Sequence, residues 1–199
     1  MKIIGLSGQS GAGKTTVLET FSELDFEVLD CDKVSRIVME KGTPCTRELI
    51  SAFGRDIASE EGEIYRKKLA EKVFFNKDLL EKLTEITHRY IKEYIFEKVE
   101  EARVRGEKVF VIDAPLLFES GLDKICDVTL AVTADRERRI LRITERDRIT
   151  RELAEKRIDA QLSEDELKRL CDEVIENNKT KEDLKKAVVD FAGRRGLVE

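Results

Sequence analysis

Short apolar runs recur along the chain, separated by longer stretches whose apolar residues return every three or four positions. Lys2–Ser7 carries Ile3, Ile4 and Leu6 and reads as a strand, as does Phe26–Asp30. Val109-Phe110-Val111-Ile112-Asp113 is apolar without alternation, the mark of a strand covered on both faces. Asp127–Val132 is another such run, and Glu173–Glu176 a last short strand. Between them the pattern predicts helices: Thr15–Leu24, a helix beginning at Val34–Met39 and ended by Gly42, and Thr46–Phe53 opened by Thr43-Pro44. Gly54–Gly62 reads as a polar loop with a short turn at Ile57. Tyr65–Phe75 is helical, and Asn76 caps a long helical pattern through Leu79, Leu83, Ile86, Ile91, Ile95 and Val99 to Gly106. The expectation there is two helices kinked near His88. Charged helices follow at Asp135–Asp147 and Arg151–Leu162. Ser163 and Glu166 form a capping box for a third. Thr180–Asp183 opens a final helix with Leu184, Ala187, Val188 and Phe191 on its inner face.

Strands alternating with helices predict an α/β fold: a parallel sheet with helices on both faces. The 199 residues suffice for a single domain, 1–199, with a sizeable core. Residues 42–106 supply no strong strand and read as a helical insertion. No internal repeat or low-complexity segment is seen.

Composition narrows the classes. Charged residues make up 40% of the chain, yet the formal net charge is −5, which argues against a general nucleic-acid binder. Cys31, Cys45, Cys126 and Cys171 are widely spaced and form no C-x-x-C pair, so reduced thiols are expected rather than a zinc site or a disulfide framework. No apolar run is long enough to span a membrane, and the N-terminus lacks the pattern of a signal peptide, so the expected location is the cytoplasm.

The chemistry concentrates in Gly8-Gln9-Ser10-Gly11-Ala12-Gly13-Lys14-Thr15-Thr16, which satisfies G-x-x-x-x-G-K-[ST]. It lies between a predicted strand and a predicted helix. There, free backbone N–H groups and the helix dipole attract phosphate oxygens. Gly11, Ala12, Gly13, Lys14, Thr15 and Thr16 are therefore candidate ATP-binding residues, with Lys14 on the β/γ-phosphates and the Thr15 hydroxyl on Mg²⁺. Ligands of such sheets bind at the carboxyl ends of strands, where Asp30, Asp32 and Asp113 fall. Asp30 and Asp32 are two apart, so in extended chain both point to one side. A carboxylate there could accept a proton from an attacking hydroxyl, or Asp32 could cap the following helix. Asp113 ends an apolar strand, as a Mg²⁺-associated aspartate does. Arg138, Arg142 and Arg146 sit four apart on one helical face, within a cluster that also holds Arg136, Arg139, Arg148, Arg151 and Arg157. Such a cluster is either a solvated face laced with ion pairs or a lid over a triphosphate. The lid reading makes residues 135–162 a helical lid, Arg142 catalytic, and Arg142 and Arg146 ATP-binding.

Taken together these motifs resemble the dephospho-coenzyme A kinase family over nearly the whole length. The likeness runs through Gly5-Leu6-Ser7-Gly8 to Thr16, and Val28-Leu29-Asp30-Cys31-Asp32 with Arg36. It continues through Arg66-Lys67-Lys68-Leu69-Ala70 with Val73-Phe74, Asp113-Ala114-Pro115-Leu116-Leu117-Phe118-Glu119, Arg142, Arg146, Arg151, Gln161 and Val174-Ile175-Glu176-Asn177. The D-A-P-L-L-F-E stretch and D-x-D-x-x-x-R are the specific parts. The resemblance implies a P-loop fold with a five-stranded parallel sheet of order 2-3-1-4-5. It also implies transfer of the ATP γ-phosphoryl to the ribose 3′-hydroxyl of dephospho-coenzyme A, with ATP and Mg²⁺ as cofactors. Asp32 would be the base and Lys14 and Arg142 the other catalytic residues. Asp30, Asp32, Arg36, Arg66 and Asp113 would serve the acceptor, Thr15 and Asp113 the metal, and residues 42–106 would bind coenzyme A.

Two departures stand out: Arg89 follows His88 where the family usually has proline, which could straighten the expected kink, and Ala12 stands where serine is commoner. The expected partners are ATP and dephospho-coenzyme A, with no nucleic acid or membrane and a monomer favoured. Another small-molecule or nucleotide kinase is the nearest alternative. A GTP-dependent switch lacks its N-K-x-D, since Asn178-Lys179-Thr180-Lys181 fails at the fourth position. RNA binding by the arginine helix is disfavoured by the negative charge and the lack of interleaved aromatics.

Overall fold

The structure, a computed structural model, describes residues 1–198. The chain divides into two compact bodies: Met1–Leu29 together with the residues from Ala102 onward, and Asp30–Glu101.

The first body is built on a five-stranded sheet. Its strands are β1 (Lys2–Gly8), β2 (Glu27–Asp30), β3 (Val109–Asp113), β4 (Val128–Thr133) and β5 (Glu173–Glu176), in the order β2-β3-β1-β4-β5. This is the expected 2-3-1-4-5 order. β1 runs parallel to β3, with Leu6 opposite Asp113, and parallel to β4, with Gly8 opposite Val132. All five residues of β3 and all six of β4 are buried, as strands covered on both faces are, the polar Asp113, Thr129 and Thr133 included. Gly5 sits mid-strand in β1 because a Cβ would lie 2.8 Å from Cys126 Sγ and 2.9 Å from Leu117 Cδ2. The loop after β3 thus packs directly on the β1 backbone.

Helices α1 (Lys14–Glu23) and α9 (Lys181–Arg194) belong to this body. Phe21 of α1 stacks on Phe26 with ring centroids 5.6 Å apart and meets Phe191 of α9 at 6.3 Å. Ile4, Leu6, Val17, Val111, Leu130, Ile175 and Val188 complete that core. Three further helices follow β4: α6 (Arg136–Asp147), α7 (Arg151–Asp159) and α8 (Glu164–Leu170). α6 ends at Arg148, held left-handed at φ 52°, and α7 starts from a Thr150 cap. Ile140 and Ile143 of α6 bury against Ala154 and Ile158 of α7. The capping boxes at Ser163 and Thr180 both form.

The second body holds α2 (Cys31–Ile37), α3 (Pro44–Phe53), α4 (Arg66–Phe74) and most of α5 (Lys77–Arg105). Two expectations change here. α2 begins at Cys31, so Asp30 and Asp32 do not share an extended segment, and the cap of α2 is Asp30 rather than Asp32. α5 is one continuous helix of 29 residues, not two kinked near His88. Arg89 keeps a backbone N–H that a proline would lack, so the i→i−4 ladder passes through without a break. Its guanidinium also pairs with Glu48 of α3, which accepts a second bond from the Tyr90 hydroxyl at 2.7 Å. Asn76 Oδ1 accepts from the Leu79 N–H at 3.1 Å, as expected.

Candidate active site at the phosphate loop

β1 delivers its chain into residues 8–13, and α1 takes over at Lys14. Gly13 caps the helix in a left-handed conformation, φ 103°, ψ 21°. Gly11 is also left-handed, at φ 76°. Both conformations are open to glycine at little cost and strained for other residues. Space makes the same demand. A Cβ on Gly11 would lie 2.8 Å from the Arg139 carbonyl oxygen, and one on Gly13 would lie 2.3 Å from Asn177 Nδ2.

The Ala12 N–H donates to the Gln9 carbonyl at 3.1 Å, closing a turn, and the Thr16 N–H donates to the Gly13 carbonyl at 3.0 Å. Helix geometry leaves the N–H groups of Lys14 and Thr15, in the first turn of α1, without intrahelical acceptors. This end of α1 carries no acidic residue in its first turn, so nothing on the helix itself neutralises the positive end of its dipole. Lys14 Nζ forms an ion pair with Asp113 Oδ1. The Asp113 side chain is 7% exposed and that of Lys14 20%, so a charge pair sits at the mouth of the loop, largely out of water. Register explains the meeting: Asp113 lies opposite Leu6, two residues before the loop begins.

Arg142 lies in α6, and its guanidinium donates to the Gly11 carbonyl at 3.1 Å and to the Asn177 carbonyl at 3.3 Å. Arg146 grips Asp147 through two bonds of 2.7 and 2.9 Å, and Arg157 joins the same carboxylate. The bonds from Arg146, then that from Arg157, hold the Asp147 carboxyl down to about 2. Arg151 pairs with Glu137 and Glu155, and Arg136 with Asp159. Much of the arginine cluster is therefore laced with ion pairs, whereas Arg142 reaches the phosphate loop.

In the second body, Asp30 Oδ1 accepts from the N–H groups of Asp32 at 2.9 Å and Lys33 at 3.1 Å. Asp32 is exposed in the first turn of α2, and Arg36 is exposed in its last turn. Arg66 is the exposed first residue of α4. Among the described residues, no group of three or more His, Cys, Asp or Glu side chains is placed to hold a metal ion. Burial pushes the thiols of Cys45, Cys126 and Cys171 up, to about 11, 12 and 12, so they stay protonated at neutral pH.

Arg139, which the charge pattern only groups with its neighbouring arginines, is set apart by its burial. It is 4% exposed and reaches the Ser10 carbonyl. The signal was present: Arg139 stands four before Ile143, on the apolar stripe of α6.

Comparison with known proteins decides the family. The family model for dephospho-CoA kinase matches residues 2–183. The chain belongs to the dephospho-CoA kinase family. A dephospho-CoA kinase of Fusobacterium nucleatum is 47% identical over 189 residues, covering 95% of this chain and 96% of that one. Among solved structures, TT1252 from Thermus thermophilus is similar with a TM-score of 0.81 at 28% identity, covering 97% of each chain. A dephospho-CoA kinase from Campylobacter jejuni shares the fold with a TM-score of 0.64 at 23% identity, over 97% of this chain and 96% of that one. Membership of this kinase family places the chain among P-loop phosphotransferases. No helix among the described residues is long and apolar enough to cross a membrane.

Proposed function

We propose that the protein transfers the γ-phosphoryl group of ATP to the ribose 3′-hydroxyl of dephospho-coenzyme A, giving coenzyme A and ADP. The observation that carries this reading is the family match across residues 2–183, which takes in both the phosphate loop and Asp113–Glu119. In the transfer a bond forms between the 3′-oxygen and the γ-phosphorus as the bond to the bridging oxygen of ADP breaks. The exposed Asp32 carboxylate takes the proton of the 3′-hydroxyl. Such transition states need positioning and charge more than covalent chemistry. The loop amides and Lys14 supply positive charge to the β- and γ-phosphates, and Arg142 and Arg146 bind the triphosphate from the lid, residues 135–162. Residues 42–106 form the coenzyme-A-binding part, with Asp30, Arg36 and Arg66 serving the acceptor.

Lys14 exchanges its Asp113 partner for phosphate when nucleotide arrives. The Asp113 carboxylate and the Thr15 hydroxyl would then hold Mg²⁺. One carboxylate and one hydroxyl form a small, hard-oxygen donor set, which fits an ion that keeps several waters and takes the rest of its shell from phosphates. The bound ion would neutralise charge on the β- and γ-oxygens. Protonated, unreactive thiols suit a reducing cytoplasm, and a monomer suffices for this chemistry.

The deciding assay couples ADP release to a readout with ATP alone, with dephospho-coenzyme A, and with AMP, CMP or shikimate. ADP release dependent on dephospho-coenzyme A, with phosphorus NMR locating the new monoester at the 3′ position, is the expected result. Phosphorylation of one of the other acceptors instead would sink the reading. Asp32→Asn should retain ATP affinity and lose transfer by about 10²–10⁴-fold, the usual worth of a general base. Near-normal transfer by that variant would remove Asp32 from proton abstraction.

A further inference from the structure

The outer side of the phosphate loop carries an arrangement of which the transfer chemistry above uses only Arg142. Three successive carbonyls, those of Ser10, Gly11 and Ala12, each accept a hydrogen bond from a side chain outside the loop. Arg139 Nε donates to Ser10 at 3.0 Å, Arg142 Nη1 to Gly11 at 3.1 Å and Asn177 Nδ2 to Ala12 at 2.7 Å. Ser10 is also gripped by Gln161, whose Oε1 accepts from its N–H at 2.9 Å and whose Nε2 donates to its hydroxyl at 3.1 Å. Arg139 Nη2 in turn reaches Gln161 Oε1 at 3.4 Å.

A peptide unit is planar and trans, so its C=O and its N–H point in opposite directions. Holding the Ser10 carbonyl outward turns the Gly11 N–H inward, and holding the Ala12 carbonyl outward does the same for Gly13. Glycine has no side chain to enforce these orientations and visits many others. Apolar packing anchors the loop at Ala12, which is fully buried in the core, but packing is non-directional and does not set which way a carbonyl points. Beyond the turn closed by the Ala12 N–H on the Gln9 carbonyl, hydrogen bonds from outside the loop fix these carbonyls. Two of the donors are well buried, Arg139 at 4% and Asn177 at 7% exposure, and so little weakened by competing water.

We infer that Arg139, Gln161 and Asn177 are positioning residues that hold the carbonyls of the phosphate loop outward and so preorganise its amides for a polyphosphate before nucleotide binds. This rests on the reading of the loop as the ATP site and names how that site is kept in shape. Preorganised donors act without reorganising as charge develops, which is where such sites gain their rate. Arg139 adds a buried positive charge behind the loop. Burial lowers its pKa to about 10, which leaves it charged at neutral pH.

The test uses Gln161→Ala and Asn177→Ala in the full chain. Each should raise KM for ATP and lower kcat/KM for ATP roughly ten- to a hundredfold, the scale set by one lost partner of a buried polar group. KM for dephospho-coenzyme A should stay within twofold. In the nucleotide-free protein, backbone ¹⁵N order parameters at Gly11–Gly13 should fall from the rigid range near ~0.85 towards ~0.6. Should Asn177→Ala fail to fold, the partly exposed Gln161 carries the same test. Folded variants with wild-type KM for ATP and unchanged order parameters would overturn the inference, as would an equal rise in KM for both substrates. Calorimetric binding of MgADP without acceptor separates this from the functional reading. A wild type that binds MgADP but leaves dephospho-coenzyme A unphosphorylated would end the acceptor assignment and leave the brace to be judged by its own variants.

Discussion

Gly13 combines two demands at one residue. Its φ of 103° disfavours any side chain, and the Asn177 amide occupies the place of a Cβ. Gly13→Ala should therefore cost about 1–3 kcal/mol from backbone strain alone and displace Asn177. The expected outcome is a lowered Tm with MgATP binding lost, checked by thermal melts with and without nucleotide. A Gly13→Ala protein that bound MgATP normally would contradict the geometry described for the loop. The glycines were legible from the motif, but the reason for the second, a donor arriving from residue 177, was not. His88 gives a second prediction. It is the only histidine, and burial, then the nearby Lys92, lowers its pKa below 6.5. The unfolded chain thus takes up the proton first as pH falls. The stabilisation is present in full above pH 6.5 and is lost as pH drops through that value towards the folded one. Denaturant melts from pH 7.5 to 5.5 should show this decline, and His88→Asn should flatten it. An unchanged slope in the variant would assign the decline to other groups.

At the scale of elements, α6 is where charge pattern alone fell short. Its arginines read as a lid with a solvated face as the alternative, because periodicity says which residues share a face and nothing about what that face meets. The structure separates them: Arg146 and Arg151 are taken up by carboxylates of α6 and α7, while Arg142 and Arg139 bond loop carbonyls. Arg142→Ala should lower kcat for transfer by about 10³-fold or more if it closes on the transferring group. Tm should fall only slightly, since Arg142 is partly exposed and its carbonyl partners can turn to water. Steady-state kinetics beside calorimetry would test both halves, and a normal kcat would leave Arg142 with a purely structural part. α5 and α2 were misjudged for a different reason. Helix interruptions and starts depend on single backbone hydrogen bonds, and local sequence at His88-Arg89 and at Asp30-Cys31-Asp32 permits either outcome.

For the whole molecule, nucleotide should act as a stabiliser. A ligand that binds only the folded chain raises stability by RT ln(1 + [L]/Kd), about 2.7 kcal/mol at a hundredfold excess over Kd. MgATP should therefore raise Tm in a concentration-dependent way, and Lys14→Ala should abolish most of the rise. A Tm insensitive to MgATP in the wild type would argue against the loop as a nucleotide site. By itself the sequence determined the α/β class, the five strands, the phosphate loop and the family likeness. Those rest on periodicity, on apolar runs such as Val109–Asp113 and on short motifs whose chemistry is local. Only the tertiary structure decided which side chains meet across the chain: Lys14 with Asp113, 99 positions apart, and Asn177 with Ala12, 165 apart. Such meetings follow from strand order and register, which arise when all the elements pack together and leave no trace in any local stretch.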